Sequence, residues 1–201
     1  MTPRALVFII TITEQYSKEF ARIKNVKEKS IIGKHLQIYV RDNARSDSWG
    51  HKKVISILKR SLKPLEKMLY SNETILNRKM HDVITIDLLF CGDTKMKSIN
   101  NDFRNKNKTT DVLSFPLYES LRKGSDEFVM PGEAGLGDII ISRDVASRQA
   151  KEFKLTIEQE VIHLFVHGML HLLGFDHEIS EKEEEIMESL EKKILLDIRN
   201  S

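Results

Sequence analysis

The chain has 201 residues, of which 40% are hydrophobic and 31% charged, so it is long enough for one domain plus an extension and apolar enough for a sizeable core. Its formal net charge of +2 at pH 7 is too small to identify a partner. The longest apolar run, residues 5–10, is far shorter than the about 20 residues of a membrane-spanning helix and lacks the cleavage site of a secretory signal. We therefore expect neither a membrane span nor export.

The chain contains one cysteine, Cys91, so an intrachain disulfide is excluded. Cys91 ends an apolar, strand-like run and is interpreted as a small core residue. A chain without disulfides and without an export signal is typical of a reducing compartment, and we predict that this protein is cytoplasmic.

The first 90 residues are predicted to contain an extension, two strands and a helix. Residues 1–34 form the N-terminal extension, which we expect to be dispensable for folding and metal binding. Residues 36–40 predict the first strand. Residues 52–70 carry apolar side chains on one helix face, although Pro64 predicts a break or kink within that helix. Residues 83–90 are rich in β-formers and predict the second strand.

The middle of the chain alternates short elements with polar loops. Residues 93–101 predict a short helix, and the asparagines of residues 102–110 favour a loop. Residues 112–115 predict a short strand that ends at a proline. Residues 118–135 are expected to form a long polar loop. The three consecutive isoleucines at residues 139–141 predict the last strand.

Three helices are predicted in the last third of the chain, each with a recognisable first residue. Ser142 offers an N-cap for the first of them. Thr156 and Gln159 fit a capping box for the second, which is apolar on nearly all sides and is therefore expected inside the protein. Ser180 begins the third. These elements predict an α+β (mixed α/β) domain over residues 35–201, with a small mixed sheet packed around a buried helix.

The segment from His167 to His177, HGMLHLLGFDH, predicts a metal site on that buried helix. His167 and His171 are four residues apart, so their rings lie on one helix face. Gly174 can end the helix in a left-handed conformation and let the chain return with His177 as a third ligand. Three imidazoles at about 2.0–2.1 Å from one ion leave a fourth position open, which is the arrangement of a catalytic zinc site.

For any one of these histidines, a hydrogen-bonded core residue is the alternative interpretation. Three at spacings of four and six around a helix-ending glycine are hard to explain in that way, because each buried imidazole without a partner would cost about 1–3 kcal/mol. His163 lies on the same stripe, but about 12 Å along the axis from His171. We therefore expect His163 to be structural or to support a ligand rather than to bind the ion.

The histidine spacing matches the zinc-binding pattern of metzincin proteases, with one difference. Gly168 stands at the position where those proteases have a glutamate that acts as general base. A peptidase is therefore the weaker hypothesis. Asp176, next to His177, could orient a ligand or serve as a base, and we predict it as a catalytic residue.

Three motifs in order make the chain resemble the YbeY family of bacterial rRNA maturation factors. The first is NDFR at residues 101–104 followed by TDVLSFP at 110–116, the second is LGDIIIS at 136–142, and the third is the histidine segment. A looser resemblance reaches back to about His35. The extension departs from the usual start of the family, and the predicted loop at residues 118–135 departs in detail.

The resemblance implies a single-strand-specific, zinc-dependent endoribonuclease that acts in the maturation of the 3′ end of 16S rRNA and in ribosome quality control. It implies that His167, His171 and His177 hold one Zn²⁺ per chain, and that Arg104 is functionally important. Nitrogen ligands also suit nickel. The implied partners are single-stranded rRNA precursor, the small ribosomal subunit and its assembly factors, and neither DNA nor a membrane is expected.

Arg104 lies in a basic stretch, and its guanidinium can contact a phosphate through two hydrogen bonds. Without the resemblance, a solvated surface arginine would be the simpler interpretation. Lys106 and Lys108 could steer RNA by charge. Asp111 and Asp138 lie at predicted strand edges and are expected to cap or support rather than to act as bases.

Three functions stay open at this point: an endoribonuclease, a metal-dependent hydrolase of another substrate such as a peptide, and a non-catalytic ribosome-assembly factor with a structural metal. A closed coordination shell would favour the third. An open position beside Arg104 in a basic cleft would favour the first. The sequence leaves open whether the nucleophile is water activated by the metal or the 2′-hydroxyl of the RNA.

Overall fold

The computed structural model describes residues 27–43 and 49–201, which form five strands and five helices. The strands are β1 (Lys27–Ile32), β2 (Leu36–Asp42), β3 (Val83–Cys91), β4 (Val112–Pro116) and β5 (Glu133–Ser142). The helices are α1 (His51–Leu69), α2 (Asp93–Arg104), α3 (Arg143–Glu152), α4 (Ile157–Leu172) and α5 (Glu181–Arg199). No helix in this part of the chain combines the length and hydropathy needed to cross a bilayer.

The five strands form one mixed sheet in the order β1-β2-β3-β5-β4. The central strands β2, β3 and β5 run parallel, whereas β1 and β4 at the two edges pair antiparallel with their neighbours. A parallel strand that is covered on both faces is expected to be a continuous apolar run. Ile139, Ile140 and Ile141 of β5 fit this rule, since all three are fully buried. The mixed sheet with helices confirms the predicted α+β class.

The main core lies on one face of the sheet, where α1 and α4 pack on the strands and α5 packs on both helices. Apolar residues bury α4 on nearly all sides, as its sequence predicted. The opposite face is covered in part by α2, through Met96 and Ile99. Beyond α2 that face is polar, with Asp87 and Asp138 side by side on β3 and β5.

The three predicted N-caps are present. The Ser142 hydroxyl accepts a hydrogen bond from the Val145 amide at 3.2 Å and begins α3. Thr156 and Gln159 form the complete capping box of α4. The Ser180 hydroxyl accepts from the Glu183 amide at 3.3 Å and begins α5. These contacts satisfy amides that have no partner within the helix.

The predicted extension contains part of the sheet. β1, within residues 1–34, pairs along its whole length with β2. This strand has little signal in the sequence because only Ile31, 1% exposed, is buried among its six residues. The apolar run at residues 5–10 lies outside the described residues, so the role of residues 1–26 stays a prediction.

Three further boundaries differ from the sequence predictions. α2 continues through Arg104, because Phe103 packs on Phe115 with ring centroids 5.2 Å apart and extends the apolar face of the helix. α1 runs without a break through Pro64, which is buried between well-packed neighbours. β5 begins at Glu133, inside the predicted loop, because its first residues pair with β3.

Candidate metal centre

The end of α4 sets the positions of the three histidines. The capping box fixes where the helix begins, and its last two turns carry His167 and His171 one above the other. Gly174 then adopts a φ of +88°, which an L side chain rarely tolerates, and its amide donates to the His171 carbonyl at 3.0 Å. The chain reverses there, and His177 returns beside the helix.

The three imidazoles face one another. The ring centroids of His167, His171 and His177 are 4.8, 5.2 and 5.3 Å apart in pairs, and each ring places one nitrogen within 4.8 Å of the other two. The Nε2 atoms of His167 and His171 are 3.1 Å apart. Nitrogens bound to one tetrahedral zinc ion would be about 3.3 Å apart, so this cluster could hold such an ion with little movement.

Burial keeps His171 neutral, which a ligand imidazole must be. Loss of solvent, followed by the nearby His167, lowers the pKa of His171 to about 4. The carboxylate of Asp176 acts in the opposite direction. Because a metal competes with protons for the ring nitrogen, a low pKa makes the nitrogen available to a metal at neutral pH.

Glu191 on α5 supports the cluster, and the sequence analysis did not identify it. One carboxylate oxygen lies 3.2 Å from Nδ1 of His167, and the other lies 3.5 Å from Nε2 of His163. Burial opposes ionisation of Glu191, but hydrogen bonds from both histidines outweigh it and lower its pKa to about 2. A carboxylate on the outer nitrogen of a ligand histidine fixes the ring and leaves Nε2 for the metal.

His163 stays outside the cluster, as predicted, and acts through Glu191. The hydrogen bond to Glu191 raises the pKa of His163, although burial opposes it. The available sequence signal for Glu191 was weak. It lies next to Leu190 and three residues before Ile194, both buried, at the border of the apolar face of α5.

A groove of about 280 Å³ opens beside His163, His167 and His177. Its other polar lining residues are acidic: Asp111, Glu184, Glu188 and Glu191. This groove is therefore acidic, whereas a basic cleft beside Arg104 was the observation that would have favoured the endoribonuclease. Three of these acidic side chains come from α5, and Asp111 directly precedes β4. The sequence displays the negative charge of α5, but the position of that helix depends on its packing against α4.

Arg104 lies near the histidine cluster without lining this groove. Its guanidinium is 3.9 Å from the carboxylate of Glu178, the residue that follows His177, and its side chain is 43% exposed. The last turn of α2 therefore points at the turn that carries the third histidine, over 60 residues away in sequence. Lys106 and Lys108 follow in an exposed loop.

The predicted acidic site residues have structural partners. Asp176 accepts a hydrogen bond from the Glu178 amide at 2.9 Å and closes the turn at His177. Asp111 accepts from the Val112 amide at 2.8 Å and from the Gln149 amide group at 2.9 Å. Asp176 therefore stabilises a turn, and Asp111 stabilises the start of β4 and its contact with α3.

Asp138 faces away from α4. Its neighbour Ile139 points at the helix, and successive side chains of a strand lie on opposite faces of the sheet. Loss of solvent raises the pKa of Asp138 to about 7, and the facing Asp87 adds to the effect. Asp138 is therefore separated from the histidine cluster by the sheet.

Gly168 is a packing residue. A Cβ on Gly168 would lie 3.0 Å from both the Ile139 side chain and the Ser114 hydroxyl. The helix approaches β4 and β5 closely at this point, so the position after the first histidine points into the sheet. A carboxylate placed there would meet the core.

Comparison with known proteins gives one consistent result. A family model described as "Endoribonuclease YbeY" matches residues 50–199. A protein of that name from Thermodesulfovibrio yellowstonii is 35% identical over 164 residues, which cover 82% of this chain and 98% of the relative. A namesake from Leptospira interrogans is 47% identical over 119 residues, covering 55% of this chain and 84% of its own.

The fold is also similar to a solved structure. The solution structure of TM1509 from Thermotoga maritima superposes with a TM-score of 0.50 at 25% sequence identity, covering 81% of this chain and 88% of that protein. The likeness extends over most of both chains.

Proposed function

This chain belongs to the endoribonuclease YbeY family, and from that premise we propose that it is a metal-dependent endoribonuclease that cleaves single-stranded RNA at the histidine cluster. The observation that carries the proposal is the set of three imidazole nitrogens that face one point beside a groove. The named activity of the relatives supports RNA as the substrate.

The finer functions rest on the motif resemblance. The metal is Zn²⁺, one per chain, and the RNA is the precursor at the 3′ end of 16S rRNA. The protein works in the cytoplasm on the small ribosomal subunit with its assembly factors, and it takes part in ribosome quality control. Three nitrogen ligands in a half-buried cluster fit Zn²⁺, which accepts this set with an open fourth position.

The residues of the site have different proposed roles, which follow from where each one lies. His167, His171 and His177 would hold the metal, which when bound supplies a Lewis acid that stabilises charge on a phosphoryl oxygen. Glu191 orients His167. Arg104 contacts a phosphate of the substrate, since its exposed ion pair with Glu178, at 3.9 Å, is weak and easily exchanged for a stronger bidentate contact.

Asp176 serves this site as a positioning residue. Its hydrogen bond to the Glu178 amide holds the turn that presents His177 and Glu178. We expect Asp176→Asn, which can still accept that bond through its amide oxygen, to retain more activity than Asp176→Ala. A base would lose its function in both variants.

A peptidase is the second candidate, because the histidine spacing matches that of metzincins. The contacts of Gly168 with Ile139 and Ser114 argue against it, since no carboxylate at that position could reach the open side of the cluster. Amide hydrolysis without a general base would lose roughly 10²–10⁴-fold in rate.

The test is a comparison of two substrates with one preparation. Metal-loaded protein should cleave single-stranded RNA and leave casein intact, and His171→Ala should abolish the RNA cleavage. Analysis of the product termini distinguishes a 2′,3′-cyclic phosphate, made by the 2′-hydroxyl, from a product of water attack. Casein hydrolysis that depends on His171, without RNA cleavage, would reject the nuclease.

A further inference from the structure

We propose that the exposed face of α1, together with the β1–β2 turn, forms a second RNA-binding surface that holds substrate phosphates at a distance from the histidine cluster. This inference rests on the proposed function and adds a partner surface to it. The surface, here called the α1 basic groove, is an open groove of about 920 Å³. Its cationic residues are Lys34, Lys59, Arg60, Lys63, Lys67 and Arg78.

The exposed face of α1 carries charge of one sign. Apart from one serine, its exposed side chains are all lysine or arginine, and the acidic Glu66 is buried. Lys59, Lys63 and Lys67 repeat every four residues, and like charges at that spacing destabilise an isolated helix. α5 shows the usual stabilising pattern instead, with Lys192 bound to Glu188 at 2.7 Å. The like charges of α1 therefore lower the stability of the free helix, and a bound polyanion would relieve their repulsion.

The protein neutralises little of this charge. Within residues 27–43 and 49–201, Lys67 pairs with Asp197 at 2.7 Å, while Lys59, Arg60 and Lys63 have no carboxylate within ion-pair distance. Glu66 also lines the groove, but its side chain is buried and its carboxylate accepts hydrogen bonds from two backbone amides of the β1–β2 turn. The surface therefore keeps a positive potential that attracts phosphates.

The wall of the groove is fixed in place. Glu66 accepts hydrogen bonds from the amides of His35 and Leu36, at 2.8 and 3.1 Å, and so ties the β1–β2 turn to α1. The guanidinium of Arg78 lies 5.1 Å from the centre of the Tyr70 ring, which holds it at the rim. A fixed surface loses less conformational entropy when it binds than a set of mobile side chains would.

The acidic groove at the histidines explains why a second surface is needed. Glu184, Glu188 and Asp111 beside the cluster repel a phosphate backbone, whereas lysine and arginine contacts supply most of the affinity for nucleic acid. α5 runs from the histidine groove to the α1 basic groove, since Glu184 lines the first and Asp197 lines the second. The rise along the helix from Glu184 to Asp197 is about 20 Å, a distance that about six nucleotides span at 3.4 Å each.

RNA fits this surface better than a membrane does. The apolar face of α1 is buried in the core, where Val54, Leu58 and Leu65 are fully enclosed, so the helix has no apolar side to insert into lipid. Contacts with phosphates along a strand need only the exposed charges.

The test compares a short RNA of about six nucleotides with one of about 25 that carries the same single-stranded cleavage sequence. The test variant is Lys59→Glu/Lys63→Glu, and the control is Lys123→Glu/Lys151→Glu, which makes the same charge change at exposed sites away from the groove. Binding is measured by fluorescence anisotropy in the full-length His171→Ala background, and cleavage in the parent background.

We expect the test variant to bind the long RNA at least about 10-fold more weakly and to lower the slope of log K against log salt by about 2. Its cleavage of the short RNA should match the parent. Unchanged binding of the long RNA, or an equal loss of binding in the control variant, would overturn the proposal. Binding to phosphatidylserine vesicles is measured in parallel, and a loss of vesicle binding without a loss of RNA binding would also overturn it. If the parent cleaves neither RNA but the binding loss appears, the RNA-binding surface stands and the nuclease assignment fails.

Discussion

Glu191 shows how one residue on another helix can position a histidine of the candidate metal site. It has one oxygen towards His167 and one towards His163, and its low pKa keeps it ionised under all ordinary conditions. Carboxylates that support a ligand histidine typically change metal affinity 10–100-fold when removed.

We therefore expect Glu191→Gln to weaken zinc binding about 10–100-fold, because the amide cannot hold both imidazoles as an anion does. Competition with a chromophoric chelator measures the affinity. Glu188→Gln is the matched control, since Glu188 lines the same groove but pairs with Lys192. Equal affinities for parent and Glu191→Gln would show that Glu191 has no role at the metal.

Asp138 is a partly buried carboxyl whose charge costs the fold free energy at neutral pH. Burial, followed by the facing Asp87, raises the pKa of Asp138 to about 7, while Arg41 lowers it. Arg41 also lies 3.6 Å from Asp87 and 3.5 Å from Glu28 of β1, so its charge is shared. A carboxyl with a raised pKa favours the folded state when protonated, and that contribution is lost as the pH rises from about 4 to 7.

Asp138→Asn should therefore stabilise the protein above pH 7 and have little effect near pH 4. The upper limit is about 4 kcal/mol for a shift of roughly three pKa units. Denaturant unfolding of parent and variant at several pH values measures the difference. A free-energy difference that is constant with pH would contradict the assignment of the shift to Asp138.

At the scale of elements, β1 joins a segment of the predicted extension to the domain. It covers the edge of β2 over six residue pairs and buries Ile31. A buried isoleucine contributes about 1.5–3 kcal/mol relative to an exposed one, and an uncovered strand edge invites pairing with another chain.

Two truncations separate the strand from the rest of the extension. Removal of residues 1–26 should leave the melting temperature within a few degrees of the parent. Removal of residues 1–34 should lower stability by about 2–4 kcal/mol and promote aggregation, because β1 is lost. Thermal unfolding and light scattering follow both effects. If removal of residues 1–26 alone lowers the stability as much as removal of residues 1–34, residues 1–26 contribute to the core.

At the scale of the whole molecule, the histidine cluster couples metal binding to folding. Its ligands lie on α4 and on the turn after it, and α4 is enclosed by the sheet, α1 and α5. The three nitrogens converge only when that packing is complete, so a metal that binds them stabilises the folded state.

Zinc at 100 times its dissociation constant should add about 2.7 kcal/mol to the stability of the protein. For a chain of this size that corresponds to a rise in melting temperature of about 5–10 °C. Differential scanning calorimetry with and without zinc measures the shift, and His171→Ala should show little of it. If zinc leaves the melting temperature of the parent unchanged, the cluster does not bind the metal.

The sequence by itself determined the features that depend on neighbours along the chain. The caps of α3, α4 and α5, the left-handed Gly174 and the spacing of His167 and His171 follow from backbone hydrogen bonds and the helix period, which act over a few residues. The order of the predicted strands and helices indicated the fold class, and the motif resemblance added the family. For these reasons most helices and the three histidines could be predicted.

Only the tertiary structure decided which distant residues meet. Glu191 at His167, Arg104 at Glu178, the acidic lining of the histidine groove and the place of β1 in the sheet all join segments far apart in sequence. The spacing of polar and charged residues along the sequence does not identify their partners, because their contacts depend on how the buried faces of helices and strands pack together. The packing of α5 against α4, and of α2 across the sheet, fixed those contacts.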